Sequence, residues 1–68
     1  MPYKYFDIKR KLEKLWYTIV RQKWSHVMFS DGNKTFPVPN HSGKDISPWV
    51  ESKIIRLLGV GKNDFDTL

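Results

Sequence analysis

A 68-residue chain without cysteine has no access to disulfides, thiolate chemistry or cysteine-based zinc sites. Its 40% hydrophobic and 15% aromatic content is too high for a disordered segment, and no apolar run approaches the ~18 residues of a membrane span. A formal net charge of +5 points to a polyanionic partner, nucleic acid first.

The charge is uneven. Residues 1–26 carry seven cations (Lys4, Lys9, Arg10, Lys11, Lys14, Arg21, Lys23) against Asp7 and Glu13. The remaining 42 residues carry five of each sign. The bland reading of this excess is a solvated helix face. A domain of this size buries only about 60% of its unfolded surface, so one modest core is expected over residues 1–68. The opening Met-Pro-Tyr-Lys-Tyr lacks the apolar stretch of a signal peptide. The expectation is a cytoplasmic protein with no membrane association.

Residues 1–5 read as a frayed lead-in, with a helix beginning at Phe6 or Asp7. Ile8, Leu12 and Leu15 fall at i, i+4 and i+7 and form its apolar stripe. Lys9, Arg10, Lys11, Glu13 and Lys14 cover the other faces, and Trp16 follows the stripe at its core or boundary. Tyr17 to Gln22 is rich in strand-forming residues. Strict alternation there puts Tyr17, Ile19 and Arg21 on one face. Lys23-Trp24 forms a tight turn that leaves Trp24 exposed.

Ser25 to Ser30 is the second strand, with Val27 and Phe29 on one face and His26 and Met28 on the other. Asp31-Gly32-Asn33-Lys34 is a hairpin turn leading to a third strand, Thr35 to Val38. Pro37 lacks an amide donor and marks that strand as an edge. After the polar loop 39–44, Ser47 and Pro48 start a second helix. Its stripe is Val50, Ile54, Leu57 and Leu58, and Gly59 ends it. Asn63 caps a last turn, residues 64–68, that folds Phe65 and Leu68 onto the core.

The order is therefore α-β-β-β-α in an α+β domain. Three antiparallel strands with both helices on one face would bury both stripes and leave the other face open.

Candidate chemistry centres on His26. There is no phosphate-binding glycine loop and no dinucleotide fingerprint. Ser25 and His26 point to opposite faces of a strand, so they are not a nucleophile–base pair. Two histidines fifteen residues apart make a weak metal case, and no metal or cofactor is expected. A lone strand histidine is more often an ordinary surface residue. Here Arg21 and Lys23 flank it. RNA cleavage needs a base for the 2′-hydroxyl, an acid for the leaving oxygen and cations for the phosphorane. Imidazole serves in either of the first two roles, Lys or Arg in the third. His41 sits in a loop, where hydrogen bonding or phosphate contact is as good a reading as catalysis. Trp16, Trp24 and Trp49 have two readings: stacking of bases, or core and contact surface.

Three runs carry a family resemblance. They are Leu15-Trp16-Tyr17 with Val20-Arg21-Gln22-Lys23-Trp24-Ser25-His26-Val27-Met28-Phe29, then Val38-Pro39-Asn40-His41-Ser42-Gly43-Lys44-Asp45-Ile46, then Ile54-Ile55-Arg56-Leu57-Leu58-Gly59-Val60. Together they resemble the HicA family of toxins. The resemblance implies a fold like the double-stranded-RNA-binding domain. It also implies a ribosome-independent mRNA interferase of a type II toxin–antitoxin pair, inhibited by a HicB antitoxin. His26 matches the family's catalytic histidine. Arg21, Lys23, Ser25, His41 and Lys44 are then the candidate contacts to single-stranded mRNA.

The chain departs from the family pattern at three tryptophans. The family reads Leu-Gly-Phe or Leu-Gly-Tyr where this chain has Leu15-Trp16-Tyr17. It reads Lys-Gly-Ser-His over Lys23-Trp24-Ser25-His26. It has glycine where Trp49 follows Pro48. Glycine at position 16 suits a helix C-terminus with positive φ, so Trp16 and Trp24 are each expected to strain a turn by about 1 kcal/mol or more. Three such changes read as selected or deliberate substitutions, either to weaken toxicity, to test the fold or to create an aromatic contact surface. Two other readings stand beside the ribonuclease. One is a nucleic-acid-binding module without catalysis, either because Trp24 blocks the site or because one histidine is not enough. The other is an interaction module whose exposed tryptophans hold a protein partner or drive self-association through Trp24 and Trp49.

Overall fold

Helix α1 spans Tyr5–Lys14 in the computed structural model, which describes residues 3–41 and 43–68. The Asp7 carboxylate accepts the backbone N–H of Lys4 at 3.1 Å, so one orphan donor at the helix start is satisfied. Ile8 and Leu12 are fully buried and Leu15 partly so, as the stripe predicts. The helix starts earlier than expected because Tyr5, not the exposed Phe6, turns into the core. Residues 3–5 are also no frayed lead-in. The Tyr3 carbonyl accepts the Ile46 amide at 2.7 Å, and Lys4 pairs with Asp45 in an antiparallel bridge. Met1 and Pro2 lie outside the described residues.

Helix α1 ends in a Schellman turn. The Trp16 N–H donates to the Glu13 carbonyl at 3.1 Å, and the Tyr17 N–H to the Leu12 carbonyl at 3.0 Å. Such a turn needs a left-handed residue, and Trp16 supplies it at φ +67°. Expected at the core or its boundary, Trp16 is instead 86% exposed. The left-handed backbone directs its side chain off the stripe, while Leu12 and Tyr17, which flank the turn, are buried.

Strands β1 (Thr18–Lys23), β2 (His26–Ser30) and β3 (Thr35–Pro39) form an antiparallel sheet in that order. Pro37 lies in an edge strand, as predicted. Val27 opposes Val38 and Phe29 opposes Phe36. All four side chains are buried with Ile8, Leu12, Ile54 and Phe65 in one cluster, so the helices cover one sheet face. The β2–β3 turn is held by Asp31, whose Oδ1 accepts the amides of Asn33 and Lys34, both at 2.8 Å. Those donors hold the Asp31 carboxyl below the usual carboxylate range.

One residue of β1 breaks the alternation. Ile19 opposes Phe29, but Arg21 opposes Met28, so Val20 is an extra residue in a β-bulge. The expectation that Arg21 shares a face with Ile19 is therefore overturned. Beyond the bulge the side chains change phase. Arg21 and Lys23 stand on the open face, opposite Met28 and His26.

Helix α2 runs Pro48–Leu58 from Ser47, though the Ser47 hydroxyl makes no capping bond, and ends at Gly59 with φ +74°. Its buried residues are Glu51, Ile54 and Ile55, with Val50 and Leu58 at the margin. Leu57, predicted in the stripe, is 37% exposed, because the face turned to the core runs through residue 55 rather than residue 57. Helix α3 (Lys62–Asp66) follows Gly61, so Asn63 lies inside it rather than at its cap. Phe65 is fully buried and Leu68 partly buried.

The C-terminal segment is fastened by Lys11. Expected on a solvent face, Lys11 is 2% exposed. Its Nζ donates to the carbonyls of Phe65, Asp66 and Leu68 at 3.0, 3.1 and 3.3 Å. It also lies 5.1 and 5.4 Å from the ring centroids of Tyr3 and Phe65. Burial pushes the amine's pKa down, while the carbonyls and rings supply the partners a buried ammonium requires. Nearby, Lys62 Nζ lies 3.2 Å from the buried Glu51 Oε1, close enough for attraction but not aligned as a hydrogen bond.

Candidate functional site

His26 is the first residue of β2 and directly follows the two-residue turn Trp24–Ser25. Burial of Val27 and Phe29 forces its exposed side chain onto the open sheet face. Lys23 stands opposite it across the ladder, as the pair that closes the two-residue turn. A hollow of about 420 Å³ is lined by Arg21, Lys23, His26, Met28 and Pro37. Two cations and the imidazole thus share one concavity with an apolar floor, and no carboxylate lines it.

A second hollow, of about 340 Å³, opens on the other side of His26. His41, Lys44, Asp45 and Ser47 line it with Val50. The loop that carries His41 is tied to the histidine end of β2, because the Asn40 amide donates to the Ser25 carbonyl at 2.6 Å. Of the predicted site residues, Arg21 and Lys23 therefore gather on one side of His26, and His41 and Lys44 on the other. Ser25 does not join them. It is half-buried in the turn, lines neither hollow, and contributes its backbone carbonyl. Ser42 lies outside the described residues.

Sequence reasoning missed Pro37 and Met28 as the floor of the first hollow. Alternation signals both, since each shares the face of His26. Asp45 was also missed. Its carboxylate is 2.6 Å from Lys4 Nζ, which balances the one acidic group in the second hollow.

Trp24, in the turn beside Lys23, has φ +57° and is 85% exposed, as predicted for this turn. Lys23 Nζ lies 5.6 Å from its ring centroid, and Gln22 Nε2 donates to its carbonyl at 3.2 Å. The tryptophan thereby engages one of the two cations that line the first hollow. Among the described residues, no group of three or more His, Asp or Glu side chains is placed to hold a metal ion.

The fold and this face define a class: a small domain like the double-stranded-RNA-binding domain, with one histidine set among cations on its open sheet. The family described as HicA toxin of bacterial toxin–antitoxin matches residues 6–60, and the chain belongs to that family. It is thus a toxin-family protein of a toxin–antitoxin system, a class with an antitoxin partner and RNA targets. Comparison with curated proteins and with solved structures returns no match. Among the described residues no helix is long and apolar enough to cross a membrane.

Proposed function

We propose that the chain is a metal-independent endoribonuclease that cuts single-stranded mRNA, with His26 as its catalytic residue. The observation that carries this reading is the placement of Arg21 and Lys23 with His26 in one hollow, and of His41 and Lys44 in the next. The RNA 2′-hydroxyl attacks its neighbouring phosphorus, the new O–P bond forms, and the bond to the 5′-oxygen breaks. His26 accepts the 2′-hydroxyl proton or donates one to the departing oxygen. Arg21 and Lys23 donate to the phosphorane oxygens, where charge accumulates. His41 and Lys44 bind flanking phosphates. The products are a 2′,3′-cyclic phosphate and a 5′-hydroxyl. A HicB-type antitoxin inhibits the reaction by covering His26.

The test is RNA cleavage by this chain beside His26→Ala, in excess chelator. Chelator-resistant cleavage by the parent alone is the expected result. Equal cleavage by both proteins would remove His26 from the mechanism. Cleavage by neither moves the function to binding, and Trp24→Gly then asks whether the tryptophan silences the site.

A second reading rests on the tryptophans, which are 86%, 85% and 81% exposed at positions 16, 24 and 49. Single exposed apolar residues are ordinary, but three indoles in 68 residues are a large unburied surface. In this reading Trp24 and Trp49 mediate self-association. Sedimentation at several concentrations should show concentration-dependent dimers that Trp24→Gly weakens; a monomer throughout rules this out.

A further inference from the structure

We infer that the groove between β3 and α2 is a nucleobase subsite, which receives one unstacked base of the RNA whose phosphate lies at His26. The inference rests on the ribonuclease reading and adds to it a place where sequence preference is set. The groove encloses about 190 Å³ and is lined by His26, Pro37, Pro39, Val50, Lys53 and Leu57. Arg21, Lys23 and Lys44, the cations of the two hollows, do not line it.

Three features select the occupant. First, the groove is continuous with the basic hollow. His26 and Pro37 line both, so a ligand at His26 has a charged neighbour on one side and an apolar one on the other. A nucleotide has that polarity, with an anionic phosphate joined through a sugar to a flat, apolar-faced ring. Single-stranded RNA is recognised through such splayed bases, held by stacking. Second, the groove is less than half the volume of the basic hollow, which suits one ring system rather than a helix. Third, β3 offers prolines at positions 37 and 39 of its five residues. Neither has an amide to donate, so the outer edge of β3 is a poor template for a partner's strand. The same two rings present rigid apolar faces to a base. Lys53, the remaining cation of the lining, stands at α2 to meet an acceptor on the base or the next phosphate.

The experiment follows backbone amide shifts of the ¹⁵N-labelled chain during titration with three uncleavable tetramers. These are 2′-O-methyl tetrauridylate, 2′-O-methyl tetraadenylate, and an abasic 2′-O-methyl ribose-phosphate tetramer. All three are expected to shift the amides of Arg21, Lys23 and His26. Only the two with bases should shift Val50, Lys53 and Leu57. Leu57→Trp, a change at a surface position that fills the groove, should weaken tetramers with bases about tenfold, the loss of one base stack. It should leave the abasic tetramer within about twofold. The titration of the unsubstituted chain needs no variant, so a folding defect in Leu57→Trp does not rescue the idea. If base-containing tetramers shift the basic hollow but leave the groove silent, the subsite is wrong and an apolar side chain of a protein partner becomes its natural occupant. If no tetramer shifts the amides at His26, the RNA reading itself falls, and the subsite with it.

Discussion

Replacing Trp16 by glycine should stabilise the protein, an unusual expectation for the loss of an entire indole. The residue is 86% exposed, so little buried area is forfeited. Its φ of +67° puts it in the left-handed region, where a Cβ costs roughly 1–2 kcal/mol. Glycine removes that cost but enlarges the conformational freedom of the unfolded chain, which takes back about 0.4–1 kcal/mol. The net gain is about 0.5–1 kcal/mol. For a domain of this size that is a rise of about 3–6 °C in Tm. Trp16→Ala separates backbone from side chain, since alanine discards the indole but keeps the Cβ. Thermal and urea unfolding of the three proteins should rank glycine above both tryptophan and alanine, with alanine close to the parent. An alanine variant as stable as the glycine variant would show that the indole, not the left-handed backbone, is the burden, and the reasoning would fail. At Trp24 the gain should be smaller, because glycine there also gives up the cation–π pairing with Lys23.

Lys11→Met leaves the carbonyls of Phe65, Asp66 and Leu68 without their shared donor. It should cost about 2 kcal/mol and roughly 10 °C in Tm. Amide exchange should accelerate first over residues 62–68; protection unchanged there would contradict the clamp. Burial, then the hydrogen bond to Asp66, pushes the Tyr3 phenol up to about 12 from its ordinary 10.0. Between those values the unfolded chain has released a proton that the folded chain retains, so this contribution is complete below pH 10 and is lost as pH rises toward 12. Tyr3→Phe should flatten that part of the stability–pH curve; an identical alkaline limb in both proteins refutes the assignment. Arg21→Gln and Lys23→Gln should each lower the salt dependence of RNA binding, by about 0.7 in the log–log slope for each phosphate no longer neutralised. A change in affinity with no change in slope would mean that neither residue meets a phosphate.

Local patterns carried most of the architecture. The alternation of Val27 and Phe29 settled the face of His26, and Asp31 with Gly32 marked the hairpin. A left-handed backbone was expected at position 16 and a strained turn at 24, and φ is +67° and +57° there. The misses share a different origin. The burial of Lys11 depends on carbonyls 54 to 57 residues away, which no window around α1 contains. The emphasis on Leu57 over Ile55 came from counting apolar residues without knowing how α2 leans on the sheet. Ser25 was grouped with its neighbours by motif, yet a two-residue turn gives it a different environment from the strand beside it. The bulge at Val20 has no local signature, because Tyr17–Gln22 alternates acceptably without it. Only pairing against β2 decides that the chain holds one residue more than the ladder uses.

That surplus residue makes the facing of the first residues of β1 a matter of counting. The two-residue turn sets Lys23 opposite His26 and Arg21 opposite Met28; an unbroken ladder from there would set Val20 against Phe29 and Ile19 against Ser30. The bulge works as a parity switch: residues before it keep one allegiance, residues after it the other. Removing Val20 would leave Ile19 opposite Phe29 and Arg21 opposite Met28 in a plain ladder, whereas drawing Val20 into the ladder would turn Thr18 and Ile19 to the other face. Length in this short segment therefore decides which side the start of β1 presents, as much as the identity of its residues does.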